Sequence, residues 1–229
     1  MLLNFDHIAR YYNILSTIVF GSSIHKAQLQ FLDRIPENSN VLIIGGGSGK
    51  FLKEFCCWPV GGQSREMLIK SRIKKILYVE YSAEMIRLSK EAIGVIPENK
   101  LVEFRLGTEA DLRNDEVFDV VITHCFLNLF EGLQLRSVMN KINSHLTPGG
   151  IWLFSDFRIS SNRFHKIWQG LLTKIMYLFF RITTGLQNKN LEKFDDLFIA
   201  MQLIKVEEKF FYAKMISAVH YQKGSFMKE

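Results

Sequence analysis

Cysteine and proline are scarce in this 229-residue chain, at three and four residues. Cys56, Cys57 and Cys125 are too few and wrongly spaced for a disulfide framework or a structural zinc site, so a reducing cytoplasm is the expected home and no metal is expected. No segment reaches the roughly 18 consecutive apolar residues that a spanning helix needs. The start, MLLNFDHIARYY, mixes acid and base and lacks the uninterrupted apolar core of a secretory signal. Lys and Arg outnumber Asp and Glu by 29 to 23, but they are scattered, and without a polybasic block nucleic acid is not an expected partner. The mild basic excess suits an anionic membrane surface or an acidic substrate, and is equally common in soluble enzymes. Repeats, low-complexity tracts and a Pro/Ser-rich linker are also missing, which implies one domain.

What is present is apolar and periodic. The chain holds 19 phenylalanines, enough for a large core or an apolar pocket. Residues 5 to 33 carry apolar side chains at helical spacing, broken at Gly21-Ser22-Ser23, which predicts two helices before the first strand. VLII (41 to 44) reads as a buried strand and Lys50 to Cys57 as the start of a helix. WPVGGQS (58 to 64) interrupts with a turn. A strand then runs over Ile76 to Glu80, a helix over Ala83 to Ile93, strands over 101 to 106 and 118 to 123, and a helix near 132 to 146. The turn Thr147-Pro148-Gly149-Gly150 precedes a strand at 151 to 157. A long amphipathic stretch follows from Asn162 to about Thr184, then a helix near Leu191 to Met201 and two strand-like runs, LIKVEEKFFY and KMISAVHYQK, that look like a hairpin. This alternation predicts an α/β fold with a doubly wound, mostly parallel sheet, whose ligands sit beyond the carboxyl ends of the strands where strand order reverses.

The loop after the first strand, Gly45-Gly46-Gly47-Ser48-Gly49-Lys50, could serve several ligands. A phosphate-cradling Walker loop needs a glycine where Ile44 stands and a hydroxyl where Phe51 stands, so nucleotide triphosphates are disfavoured. A dinucleotide loop needs a third glycine where Lys50 stands, which weakens a nicotinamide cofactor without excluding it. Gly-x-Gly-x-Gly followed by an acid at the end of the next strand fits better. Glycines let the backbone approach a ligand closely, and a carboxylate accepts two ribose hydroxyls.

This pattern resembles the class I S-adenosylmethionine-dependent methyltransferases, with likeness from about residue 5 to 157. LYVEYSAEM (77 to 85) resembles the family's ribose-binding motif, and FRLGTEA (104 to 110) stands where the family has Gly-Asp-Ala beside the adenine. FDVVIT (118 to 123) and LTPGGI (146 to 151) resemble its fourth-strand and pre-fifth-strand motifs. The resemblance implies S-adenosyl-L-methionine as cofactor, bound by Gly45, Gly46, Gly47, Gly49, Glu80, Tyr81, Met85, Thr108, Glu109 and Thr123. It also implies a seven-stranded sheet ending in an antiparallel hairpin under a helical cap. The expected division is 1–35 N-terminal cap, 36–157 cofactor core, 158–202 helical insertion and 203–229 hairpin. Two positions depart from the family: Ile43 replaces an acid before the loop, and Thr108 replaces the adenine-side Asp. Glu80 also lies farther from the glycines than the usual spacing of about 20 residues, with WPVGGQS accounting for the extra length.

Methyl transfer needs a nucleophile held in line with the methyl group, with a general base when the acceptor is a protonated oxygen or nitrogen. His124, Asp156, His165 and Tyr212 are the candidates, and His124 is named catalytic, as a pocket-lining residue first and a base second. FDHIARYYNIL (5 to 15) resembles the N-terminal segment of quinone-biosynthesis C-methyltransferases and phospholipid N-methyltransferases, which implies that Tyr12 approaches the cofactor. The 162 to 184 helix is a lid over an apolar acceptor pocket, a membrane-surface helix, ordinary core or a homodimer face; the Phe-rich composition favours a small apolar or lipid-like acceptor. VLIIGGG followed by YVE also resembles aminopropyltransferases of the spermidine synthase type, although Ser48 replaces their loop Asp. A cofactor-binding fold acting only as an interaction module stays open.

Overall fold

The computed structural model describes residues 20–56, 73–94, 101–158 and 194–225. Seven strands form one sheet: β1 (Ser39–Ile44), β2 (Ile73–Glu80), β3 (Val102–Leu106), β4 (Phe118–His124), β5 (Leu146–Phe157), β6 (Leu203–Phe211) and β7 (Ile216–Lys223). Their order is β3-β2-β1-β4-β5-β7-β6. The first five are parallel, and β7 pairs antiparallel with both β5 and β6. The described helices are α1 (Ser23–Leu29), α2 (Lys50–Cys56), α3 (Ala83–Ile93), α4 (Gly132–Ser144) and α5 (Phe194–Ala200). The doubly wound sheet and its terminal hairpin are therefore those expected. Residues 1–19, with Tyr12, and the 162 to 184 stretch lie outside the described residues.

Strand alternation sorts the apolar run of β1 onto two faces. Val41 and Ile43 pack with Phe51, Leu52 and Ile86 of α2 and α3. Leu42 and Ile44 pack with Leu135, Val138, Met139 and Ile142, which recur along α4 at the three- and four-residue spacing of one helix face. Ile43, the departure from the family's acid, is thus an ordinary core residue, 2% exposed. On the second face, Phe194 and Phe198 of α5 pack against Phe154, and Phe198 also stacks on Tyr221.

The stretch 147–150 differs from the expectation of a turn before the strand, since β5 already begins at Leu146. Its register with β4 jumps from Phe118↔Leu146 to Val120↔Ile151, so the Thr-Pro-Gly-Gly residues bulge out while the strand continues on either side. The hairpin turn carries another cost. Tyr212, Ala213 and Lys214 all have positive φ (48°, 49° and 65°), a region that side chains with a Cβ adopt at a penalty.

Candidate functional site

Strand order reverses between β1 and β4, which leaves a crevice at their carboxyl ends. The bend after β1 fills the floor of that crevice. Gly45 continues the ladder by donating its N–H to the Val79 carbonyl at 3.0 Å, and both Gly45 and Gly47 sit at φ +68°. A Cβ at Gly45 would lie 2.2 Å from the Phe126 ring, so the bend presses directly on the segment after β4. At Gly47 a Cβ would meet nothing within 4 Å, because this part of the bend faces open space.

Glu80 ends β2 beside that open side. Its Oε2 accepts the Gly47 N–H at 2.9 Å and its Oε1 accepts the Ser82 N–H at 3.1 Å. The side chain is 9% exposed and turned toward the bend. Ser82 also caps α3 through the Met85 N–H at 3.1 Å, which fixes the chain direction after Glu80. Tyr81 is exposed and Met85 is buried under the start of the helix. On the adjacent strand, Gly107 donates its N–H to the Glu80 carbonyl at 3.0 Å, placing Thr108 and the half-buried Glu109 next to the same crevice. The Thr108 hydroxyl accepts the Ala110 N–H, and Asp111 Oδ2 accepts the Thr108 N–H at 2.7 Å. Thr108 therefore serves as the cap of a short 3-10 turn. Any polar contact with an adenine from this turn would come from its backbone or from Glu109.

Residues 42–152 match the family described as methyltransferase domain. That match covers just under half of the chain, and the fold is the Rossmann-like one of class I methyltransferases. Among solved structures, it is similar to the N-methyltransferase NodS from Bradyrhizobium japonicum WM9 in complex with S-adenosylhomocysteine, at TM-score 0.57 and 14% identity over 87% of this chain and 83% of that one. It is also similar to a 1,6-didemethyltoxoflavin-N1-methyltransferase from Burkholderia thailandensis, at TM-score 0.62 and 12% identity over 96% and 86%. At those identities the likeness is one of fold. Among curated proteins, a polyamine aminopropyltransferase from Prochlorococcus marinus strain AS9601 is 33% identical over 132 residues, 52% of this chain and 41% of the relative. The chain thus spans about two-fifths of the length of that relative.

The ends of β4 and β5 bring together His124, Cys125, Phe126 and Asp156. His124 Nδ1 lies 2.8 Å from Ser155 Oγ, and its ring meets Phe51 edge-on at 4.8 Å. Burial lowers its pKa to about 3. An imidazole of such low basicity is a poor proton acceptor at neutral pH, which suits the pocket-lining role expected for His124 better than the base role. Thr123, expected beside the cofactor, has a buried side chain. Alternation along β4 points its side chain into the core, where the hydroxyl accepts the Trp152 indole N–H at 2.8 Å with no solvent exposure.

Asp156 behaves in the opposite sense. It lies within β5 and accepts the N–H groups of Phe157 (2.8 Å) and Asn128 (3.3 Å), while burial raises its pKa to about 7. Burial, followed by the nearby Asp156, raises the Cys125 thiol well above its usual range. This end of the crevice is consequently largely apolar, with Asp156 near its titration midpoint at neutral pH. Sequence reasoning missed Phe126, Tyr78 and Ser89, all of which touch or crowd the glycine bend. Only Phe126 had a signal, its place directly after the β4 motif. A surface hollow of about 420 Å3 between α5, β6 and β7 lies toward the far edge of the sheet. Among the described residues, no helix is long and apolar enough to cross a membrane, and no cluster of His, Cys, Asp or Glu could hold a metal ion.

Proposed function

We propose that the protein transfers the methyl group of S-adenosyl-L-methionine to a small, uncharged acceptor of quinone- or lipid-like character. The observation that carries this is the Glu80 carboxylate, which is turned toward the open side of the Gly47 bend at the point where strand order reverses. Glu80 would hold the ribose hydroxyls, and the bare backbone at Gly45 to Gly49 would pass beside the methionine part. Bound there, the cofactor supplies an electrophilic methyl group on a sulfonium. The chain's own task is to orient a nucleophile and keep water out. Phe126 and Phe130, edge-on at 5.1 Å, and the neutral His124 and Cys125 favour an apolar acceptor over a charged one, since an unpaired charge there would lose its hydration. Where the acceptor is a protonated oxygen or nitrogen, Asp156 is the better placed base, with a pKa near neutrality.

The unit proposed is one domain, with residues 1–35 and 158–202 as cap and insertion around the core. The subtype proposed is the quinone-biosynthesis or phospholipid N-methyltransferase type. Contact with a membrane surface and pairing of two copies belong to the same proposal.

Calorimetry with S-adenosylmethionine and S-adenosylhomocysteine tests the cofactor. Absence of binding in the millimolar range would favour an interaction module. The acceptor is sought by incubating the protein with trideuteromethyl-labelled cofactor and an organic-solvent extract of cells. Label entering only water-soluble, charged products would overturn the apolar assignment.

Likeness to a polyamine aminopropyltransferase supports a second reading, aminopropyl transfer from decarboxylated S-adenosylmethionine to an amine. Against it, the residues after β4 present a neutral imidazole, a thiol and phenylalanines where a polyamine would need carboxylates. Formation of spermidine from putrescine and the decarboxylated cofactor would decide for it.

A further inference from the structure

Gly47 is held from both sides of its backbone. Its N–H is donated to Glu80, and its carbonyl accepts two hydroxyls, Tyr78 Oη at 2.8 Å and Ser89 Oγ at 2.8 Å. The two hydroxyl oxygens lie 3.0 Å apart. Tyr78 comes from β2 and Ser89 from α3, and neither has any solvent exposure. A buried hydroxyl is costly unless it is hydrogen-bonded, and here both converge on one carbonyl of the cofactor bend. Burial pushes the Tyr78 phenol far above its usual range, so it remains a donor throughout the working pH range. The neighbouring glycines make room for the same pair. A Cβ at Gly46 would lie 2.3 Å from the Tyr78 ring, and one at Gly49 would lie 2.5 Å from the Ser89 Cα. Two of the four glycines are thus explained by these hydroxyl residues and not by the ligand.

We propose that Tyr78 and Ser89 are positioning residues for the cofactor: together they latch the Gly47 peptide in the free protein, with its N–H on Glu80 and its open side toward the ligand. This rests on the cofactor proposed for the site. Without these two hydrogen bonds the Gly47 part of the bend, open on one side, would sample more conformations, and binding would have to freeze them. A latched bend removes that cost from the binding step. It also offsets the absence of the family's acids at Ile43 and Thr108.

The test compares wild type, Tyr78→Phe, Ser89→Ala and the double variant by calorimetry with S-adenosylhomocysteine, and by amide hydrogen exchange without ligand. Each single variant keeps one donor on the Gly47 carbonyl and is expected to bind within about threefold of wild type. The double variant is expected to bind about tenfold more weakly, or worse. Faster exchange is expected in residues 45 to 50 and not in β1 or β4, a localisation that general destabilisation would not produce. If wild type binds and the double variant binds equally well, or exchange at 45 to 50 is unchanged, the latch is refuted while the cofactor assignment stands. If wild type does not bind, the cofactor assignment fails and the latch with it. Should the double variant not fold, the singles decide: each loses one of the two donors and is expected to exchange moderately faster at 45 to 50, so unchanged exchange there in both refutes the latch.

Discussion

Glu80 Oε2 accepts the N–H of Gly47 at 2.9 Å, tying the end of β2 to the bend after β1 across 33 positions of sequence. Replacing the carboxylate by an amide removes the charge and sets an N–H2 group against one of the two backbone N–H groups it now accepts. Glu80→Gln is therefore expected to weaken S-adenosylhomocysteine binding at least about tenfold, given that hydrogen bonds to a charged group contribute about 1.5–3 kcal/mol each. Calorimetry on the folded variant measures this. Affinity equal to wild type would remove Glu80 from the site.

Gly45 and Gly47 share a φ of +68° but differ in surroundings, so alanine separates strain from collision. Gly47→Ala is expected to cost about 1–2 kcal/mol from the left-handed backbone alone. Gly45→Ala adds a methyl group 2.2 Å from the Phe126 ring and should lose a further 1–3 kcal/mol or so through overpacking. Urea denaturation of the two variants orders them; equal stability would mean that Phe126 moves aside freely.

Two buried groups at the ends of β4 and β5 give opposite pH dependences. His124, lowered from 6.5 to about 3, is neutral in the folded protein while the unfolded chain binds a proton, so its contribution makes stability rise with pH between about 3 and 6.5. Asp156, raised from 3.8 to about 7, holds its proton in the folded protein after the unfolded chain has lost it. Its contribution is full below 3.8 and declines as pH rises to about 7. Between pH 4 and 6.5 the two slopes largely cancel. Relative to wild type, Asp156→Asn should therefore gain stability as pH rises through this window, and His124→Gln should lose it. Denaturation at several pH values shows both; parallel profiles for all three proteins would contradict the assignment.

Ala213 sits at φ +49° in the middle of the β6–β7 turn, between Tyr212 and Lys214, which are also left-handed. Glycine removes the Cβ penalty of about 1–2 kcal/mol there and gives back part of it through the freedom of the unfolded chain. Ala213→Gly is expected to raise the melting temperature by a few degrees. A lower melting temperature would show that the turn relaxes without strain.

Much of this molecule follows from local pattern. VLII, ILYVE, FDVVIT and IWLFSDF are strands because each is a short apolar run buried on both faces, and the helices between them carry one apolar stripe. The glycines after β1 and the acid ending β2 name the two halves of the proposed cofactor berth, since both depend on near-neighbour chemistry. Where side chains point is a different matter. Thr123 and His124 are adjacent in sequence, yet alternation in the packed sheet sends Thr123 to Trp152 and His124 to Phe51 and Ser155. Burial then takes away the basicity that His124 has in water. Tyr78 reads as one more strand aromatic, and only the folding of β2 beneath the bend brings its hydroxyl to the Gly47 carbonyl. Sequence alone determined the strand order's raw material, the bend and the carboxylate, because short-range periodicity and backbone sterics encode them. Tertiary structure alone decided which polar atoms meet and which groups stay charged, because desolvation and hydrogen-bond partners are set by residues distant along the chain.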